Sequence, residues 1–174
     1  ECELLIDCGG PCEACATCSD GIKNQGEEEV DCGGPCPVCT DLTINMGGTV
    51  NTCTGTFSDS GGAGNYGNNE NYAMTICPDT PGSLISLNFN SFASETTLDQ
   101  LCVYDGVDNT APLIACYDNG LPLTGVIQAT GASGCLHFEF TSDGSVNPAG
   151  WDASISCITP ANMSFTSSTT VQAS

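Results

Sequence analysis

The placement of cysteine constrains this chain more than any other feature. Fourteen of the 174 residues are cysteine, eight of them within residues 1–40 and six between 53 and 157. A dense, even set of this kind is either a metal framework or a set of disulfides, and each implies a different compartment. Cys-x-x-Cys spacings occur at 12–15, 15–18 and 36–39, as a zinc site would require. The surroundings argue against zinc. Carboxylates crowd these cysteines, Lys23 is the one lysine or arginine, and the one histidine, His137, lies far off in sequence. With so little positive charge to support thiolates, disulfides formed in an oxidising compartment are the better reading. The expected location is therefore extracellular, secreted or at a cell surface.

The charge narrows the partners. Twenty-one acidic residues against a single lysine give a formal net charge of −20. Such a surface repels phosphate backbones and anionic lipid, which excludes nucleic acid and direct membrane insertion and makes divalent cations the natural counterions. No apolar run approaches a membrane span, and no signal peptide is present, so the expectation is a processed chain or a piece of something longer.

Residues 1–40 contain an internal repeat. The second copy is TCSDGIKNQGEEEVDCGGPCPVC at 17–39; the first, ECELLIDCGGPCEAC at 1–15, lacks the opening half. The DCGGPC motifs align Asp7 with Asp31 and Cys8, Cys12 and Cys15 with Cys32, Cys36 and Cys39. Too few apolar residues lie here to build a core, so cross-links must hold the segment, each contributing about 2–4 kcal/mol. Connectivity within 1–40 stays open. Asp20, Asn24, Glu27 and Asp31 carry oxygen ligands at short spacing. They read either as a calcium loop or as Asx-turn and capping residues beside a solvated acidic run.

From residue 41 the pattern changes to short strands. Ile85, Leu87 and Phe89 alternate with Ser86, Asn88 and Asn90, the period of a half-buried strand, and LCVY at 101–104 resumes it after a polar loop carrying Glu95 and Asp99. NYAMTIC at 71–77, LIACYD at 113–118, GVIQAT at 125–130, CLHFEFTSD at 135–143 and WDASISCI at 151–158 are further strands; 40–52 is a linker with an opening strand, and 55–71 reads as a Gly/Asn-rich loop. Leu136, Phe138 and Phe140 share one face, as do Trp151, Ala153 and Ile155, and these sets should meet in a core. No segment has a helical period. The fold class is all-β, a jelly-roll β-sandwich with a small disulfide-rich N-terminal region. The expected organisation is a cysteine-rich tandem repeat at 1–40, a sandwich at 41–158 and an extended strand or linker at 159–174.

The block from Cys53 to Cys157, about 105 residues, resembles a CUB domain. GNYGNNENYAMTICPDTPG at 64–82, FASETTLDQLCVYDG at 92–106, TSDGS at 141–145 and GWDASISC at 150–157 carry the resemblance. It is similar to the bacterial branch in large surface proteins of the Bacteroidetes type, and the DCGGPC segment resembles cysteine repeats found beside adhesive domains there. The resemblance implies pairing of the first two and last two cysteines of the block, Cys53–Cys77 and Cys135–Cys157, with Cys102–Cys116 as a departure from the usual pattern. It also implies calcium held by Glu95, Asp99 and Asp143, with backbone oxygen from Ser145 or its neighbour, at an affinity on the order of 0.1–1 mM. The bare alternative is that the same residues cap turns or stay solvated; Asp105 and Asp118 are assigned to turns.

Catalysis finds no support. His137 sits mid-strand and reads as a surface residue rather than a base, and there is no arginine to clamp an anion. The expected function is a non-catalytic, calcium-stabilised structural or adhesive module of a bacterial surface protein or filament, with neighbouring copies, adjacent domains, or a glycan or protein ligand as partners. The alternative is a substrate- or glycan-targeting module of a secreted hydrolase, for which Tyr66, Tyr72, Tyr104 and Tyr117 are candidates for an aromatic platform unless they are core. In the tail, Met163, Phe165 and Val171 share one parity and suggest a strand that seeks an edge elsewhere, against a plain linker. Asn162 opens a glycosylation sequon, and Ser60 and Thr80 follow aspartate in short O-glycan-like patterns.

Overall fold

The computed structural model describes residues 40–160. Ten strands and one short 3₁₀ turn make up this region: β1 (Asp41–Thr43), the turn Ile44–Met46, β2 (Gly48–Asn51), β3 (Thr56–Ser58), β4 (Asn71–Cys77), β5 (Leu84–Ala93), β6 (Gln100–Tyr104), β7 (Leu113–Tyr117), β8 (Gly125–Gln128), β9 (Leu136–Thr141) and β10 (Gly150–Ile158). They form two five-stranded sheets, ordered β1-β3-β10-β5-β8 and β2-β4-β9-β6-β7. Most neighbours are antiparallel, but β1–β3 and β2–β4 pair in parallel.

Period-two alternation builds this sandwich. In β9, Leu136, Phe138 and Phe140 are buried against the opposing sheet, where Trp151, Ala153 and Ile155 of β10 and Ile85, Leu87 and Phe89 of β5 point inward. Aromatic rings form the centre. Phe57 lies 4.7 Å from Phe138 and 5.7 Å from Trp151, and Trp151 meets Phe140 edge-on at 5.0 Å, arrangements that suit the ring quadrupoles.

Phe57 belongs to β3, inside the stretch that reads as a loop from sequence. Three residues are too few to show a period, and the glycines around them mask the strand. The 40–52 segment is likewise two strands, one in each sheet, joined by the 3₁₀ turn. At the other end of β3, buried Asp59 accepts hydrogen bonds from the backbone of Gly61 at 2.7 Å and Trp151 at 3.1 Å. This contact requires glycine at 150: its φ is +68°, and a Cβ there would collide with the Asp59 carboxylate.

All six cysteines of the sandwich are bonded, but two of the pairings differ from those the family resemblance implies. The bonds are Cys53–Cys157, Cys77–Cys135 and Cys102–Cys116. Strand register explains the difference. Ile76 of β4 lies opposite Leu136 of β9, which brings Cys77 beside Cys135. Cys53 lies just before Gly55, whose carbonyl accepts the Ile155 amide, and so beside Cys157 in β10. Cys102 and Cys116 are opposed on β6 and β7, as expected.

These bonds close loops of very different length, with sequence separations of 104 and 14. Replacing Cys53 and Cys157 with serine should cost about 4–5 kcal/mol, against about 3 kcal/mol for the Cys102/Cys116 pair, in the chain-entropy account. Urea denaturation of the two double variants checks this order, and peptide mapping under non-reducing conditions checks the pairing.

Candidate metal centre

Three loops meet at one end of the sandwich. The β5–β6 loop brings Glu95 and Asp99, the turn after β9 brings Asp143, and the β3–β4 loop brings Tyr66. One carboxylate oxygen from each of Glu95, Asp99 and Asp143 can be chosen so that all lie within 4.8 Å of one another. Among the described residues no lysine or arginine is available to neutralise them.

Backbone geometry sets each ligand. The Asp99 amide donates to the Glu95 carbonyl at 3.3 Å, a single turn that puts the two side chains on the same side of the loop. Inside that turn Thr97 has φ +70°, a left-handed conformation that disfavours a β-branched residue. Asp118 offsets the strain by accepting the Thr97 amide at 2.8 Å, and it also accepts the Gly120 and Leu121 amides at 2.6 and 2.9 Å. These bonds hold the Asp118 carboxyl below the usual carboxylate range, led by the Thr97 and Leu121 amides. The neighbouring Asn119 accepts the Ser94 amide at 3.2 Å. Asp118 is therefore a turn residue, as its sequence suggests, but its turn supports the site.

Buried Tyr66 is the second support. Its hydroxyl donates to Asp99 Oδ2 at 2.5 Å and accepts the Glu95 amide at 3.2 Å, tying two ligands together. Burial and then the Asp99 carboxylate push the phenol well above its ordinary value, so it stays a donor. Asn147 fixes the Tyr66 carbonyl at 2.8 Å, and the ring stands edge-on to Phe140 at 5.0 Å. Of the four tyrosines that read as either platform or core, Tyr66 is core. Nothing in a Gly/Asn-rich stretch marks one tyrosine as buried.

The Asp143 amide donates to Asp99 Oδ1 at 2.8 Å, and the Ser145 amide donates to Asp143 Oδ1 at 2.8 Å. Glu95 Oε2 is buried without a hydrogen-bond partner. Burial, then the charges of Asp143 and Asp99, raise the Glu95 carboxyl above its usual range. A hard cation fits this set: it would supply the missing partner for Glu95 and offset the repulsion among three carboxylates.

Asp105 sits at the other end of the sandwich and accepts Thr130 and Gly131, so its assignment to a turn agrees with the structure. His137 is nearly buried rather than on the surface. The β6–β7 loop covers it: Thr75 Oγ1 donates to the Val107 carbonyl at 3.0 Å and lies 2.8 Å from His137 Nδ1. Ser60 is partly buried with its hydroxyl on the Glu70 carboxylate at 2.6 Å, and Thr80 is exposed and bonded to Asp79 at 3.0 Å. Asp20, Asn24, Glu27, Asp31, Asn162, Met163, Phe165 and Val171 lie outside the described residues.

The sequence matches the model of the CUB domain family over residues 46–155. The chain belongs to the CUB family. Solved structures with the same fold include the full extracellular region of zebrafish Gpr126/Adgrg6, at TM-score 0.54 and 21% identity, covering 65% of this chain and 15% of that one. The MASP-1 CUB2 domain bound to Ca2+ aligns at TM-score 0.51 and 18% identity, over 63% of this chain and 97% of that domain. The CUB1-EGF-CUB2 domains of rat MASP-1 align at 0.52 and 18%, over 67% and 43%. The chain thus spans a small part of the zebrafish region and under half of the rat one. CUB domains are generally non-catalytic protein-interaction modules, typical of extracellular proteins.

The raised Glu95 carboxyl has a defined pH signature. Its folded value exceeds the ordinary 4.5, so its contribution to stability without metal is complete below that pH and is lost as pH rises through the folded value. In chelator, the melting temperature of the unsubstituted protein should therefore fall relative to Glu95→Gln as pH climbs above 4.5. Parallel curves for the two proteins would contradict this.

Proposed function

We propose that this chain is a non-catalytic, calcium-stabilised extracellular module that serves as a structural or adhesive piece of a bacterial surface protein or filament. The observation that carries the reading is the carboxylate trio Glu95, Asp99 and Asp143, with its unpartnered Glu95 oxygen, on a CUB sandwich. These three residues hold calcium, with a backbone oxygen near Ser145 completing the shell. The ion locks the β5–β6 loop against the turn after β9, so the end of the sandwich that presents these loops keeps one shape. Asp20, Asn24, Glu27 and Asp31 form a second calcium loop in this reading.

The organisation proposed is a cysteine-rich repeat at 1–40, the CUB sandwich at 41–158, and an extended segment at 159–174 that docks on a neighbouring copy or the next domain through Met163, Phe165 and Val171. The glycan-targeting alternative gains less support. Tyr66 is core, Tyr72 and Tyr117 pack partly against the core, and the Tyr104 hydroxyl is engaged by Glu139 at 3.1 Å. That leaves little of an aromatic platform.

Calcium binding to the native state alone raises stability by linkage. At about 10 mM calcium and a dissociation constant of about 0.1–1 mM, the gain should be about 1.5–3 kcal/mol. The corresponding rise in melting temperature is roughly 4–10 °C. Calorimetry of the chelated and calcium-loaded protein measures it. Asp99→Asn should abolish most of the shift, and Tyr66→Phe should reduce it while costing about 1–3 kcal/mol without metal. An unsubstituted protein whose melting ignores calcium would sink the reading.

A further inference from the structure

Residues 109–138 contain one carboxylate, Asp118, in a chain that carries 21 acidic residues and a net charge of −20. Asp118 is itself nearly buried and engaged by three backbone amides, so this stretch presents almost no charge to solvent. It comprises β7, the turn at 118–121, β8 and the approach to β9. Both β7 and β8 are terminal strands of their sheets. They run along the same side of the sandwich, joined at one end by residues 118–124 and at the other through the hydrogen bonds of Asp105 to Thr130 and Gly131.

This side is also apolar. Leu113 is 54% exposed, Ile114 40%, Leu121 54% and Val126 63%. Successive residues Leu113 and Ile114 both face solvent because the β6–β7 register shifts between Val103 and Tyr104, leaving Ile114 unpaired. No residue of β7 is fully buried, yet the strand is held firmly, with Cys102–Cys116 stapling it to β6. Among the described residues, no strand pairs with the outer edge of β7 or β8. Open apolar edges of this kind attract partners unless charge protects them, and here charge is missing.

We infer that two copies of this chain associate through the β7–β8 edge, related by a two-fold axis. Charge selects the occupant. A partner surface carrying charged groups would bury them here without a counter-charge. The same edge of a second copy carries none. The opposite edge, residues 42–58, also lacks carboxylates, but Met46 is its one large exposed apolar side chain, whereas this edge exposes four; other faces of the described region would bring carboxylates together with no lysine or arginine to compensate them. A two-fold contact on this edge is self-complementary and holds the remaining carboxylates apart. The inference is independent of the tail docking proposed above, since it uses residues 113–128 alone.

Sedimentation velocity of the full chain tests it, with sodium chloride varied in both chelator and calcium. A dimer should populate with rising protein concentration, and more so with rising salt, because salt screens the repulsion between two anionic bodies while the apolar contact persists. Leu113→Asp and Val126→Asp each place like charges opposite one another and should raise the dissociation constant about a hundredfold or more. Leu121→Glu, on the connecting turn, is a second variant for the same edge. Met46→Asp, at an exposed apolar position on the opposite side, and a chain ending at Pro160 should dimerise as the unsubstituted protein does. Thermal melting confirms that each variant is folded. The inference is overturned by a monomer at every salt and concentration, by dimers that weaken as salt rises, by dimers that survive both Leu113→Asp and Val126→Asp, or by dimers lost on truncation at Pro160.

Discussion

Carboxylates without cations dominate the physics of this protein. The described region holds twelve aspartates and glutamates and no lysine or arginine, so ion pairing cannot be the device that accommodates them. The backbone takes that role. Asp59 uses the amides of Gly61 and Trp151, Asp105 those of Thr130 and Gly131, Asp108 that of Thr110, and Asp118 those of Thr97, Gly120 and Leu121. Each ties a loop to a strand or to its own turn, so acidic residues become the fasteners of a structure whose loops would otherwise have little to hold them. Burial raises the Asp59 carboxyl, and its two amides only partly offset that; for Asp105, burial acts the same way but Thr130 and Gly131 outweigh it. The trio at Glu95, Asp99 and Asp143 is the place where amides and one phenol do not suffice, since Glu95 Oε2 stays without a partner, and a cation would answer that demand.

The same constraint shapes the contacts between loops and the sheets. Tyr66 reaches Asp99 only because Asn147 and Phe140 fix its backbone and ring, and Thr97 holds its left-handed turn only because Asp118 receives its amide. The site is therefore built from four loops, of which two contribute no ligand.

Strands with several alternating residues, such as 71–77, 85–90 and 136–140, could be read directly, because period two is a local property. The grouping of Glu95, Asp99 and Asp143 was also foreseen, from the family resemblance carried by the FASETTLDQ and TSDGS runs, and the structure brings one oxygen of each within 4.8 Å of the others. What escaped depends on contacts between distant segments. β3 is too short to display a period, Tyr66 has no local mark of burial, and His137 is covered by a loop from another hairpin. Cysteine pairing is the sharpest case. It turns on whether Cys77 faces Cys135 across β4 and β9, and a single-residue change of register would move the thiol to the other face.

The bond between Cys53 and Cys157 also determines how the domain behaves under tension. It joins the chain shortly after β2 to the penultimate residue of β10, with 104 positions of separation bridged by a single covalent link. A pull applied to both sides of the sandwich passes through sulfur and bypasses the sheets. Among the described strands, β1 and β2 precede Cys53, lie on the loaded path and can peel away; β3 to β9, β10 as far as Cys157 and the carboxylate trio lie inside the bridged loop and carry no load. Pulled at residues 40 and 160, the described region would lengthen by about a dozen residues and then stop, at about 3.5 Å each.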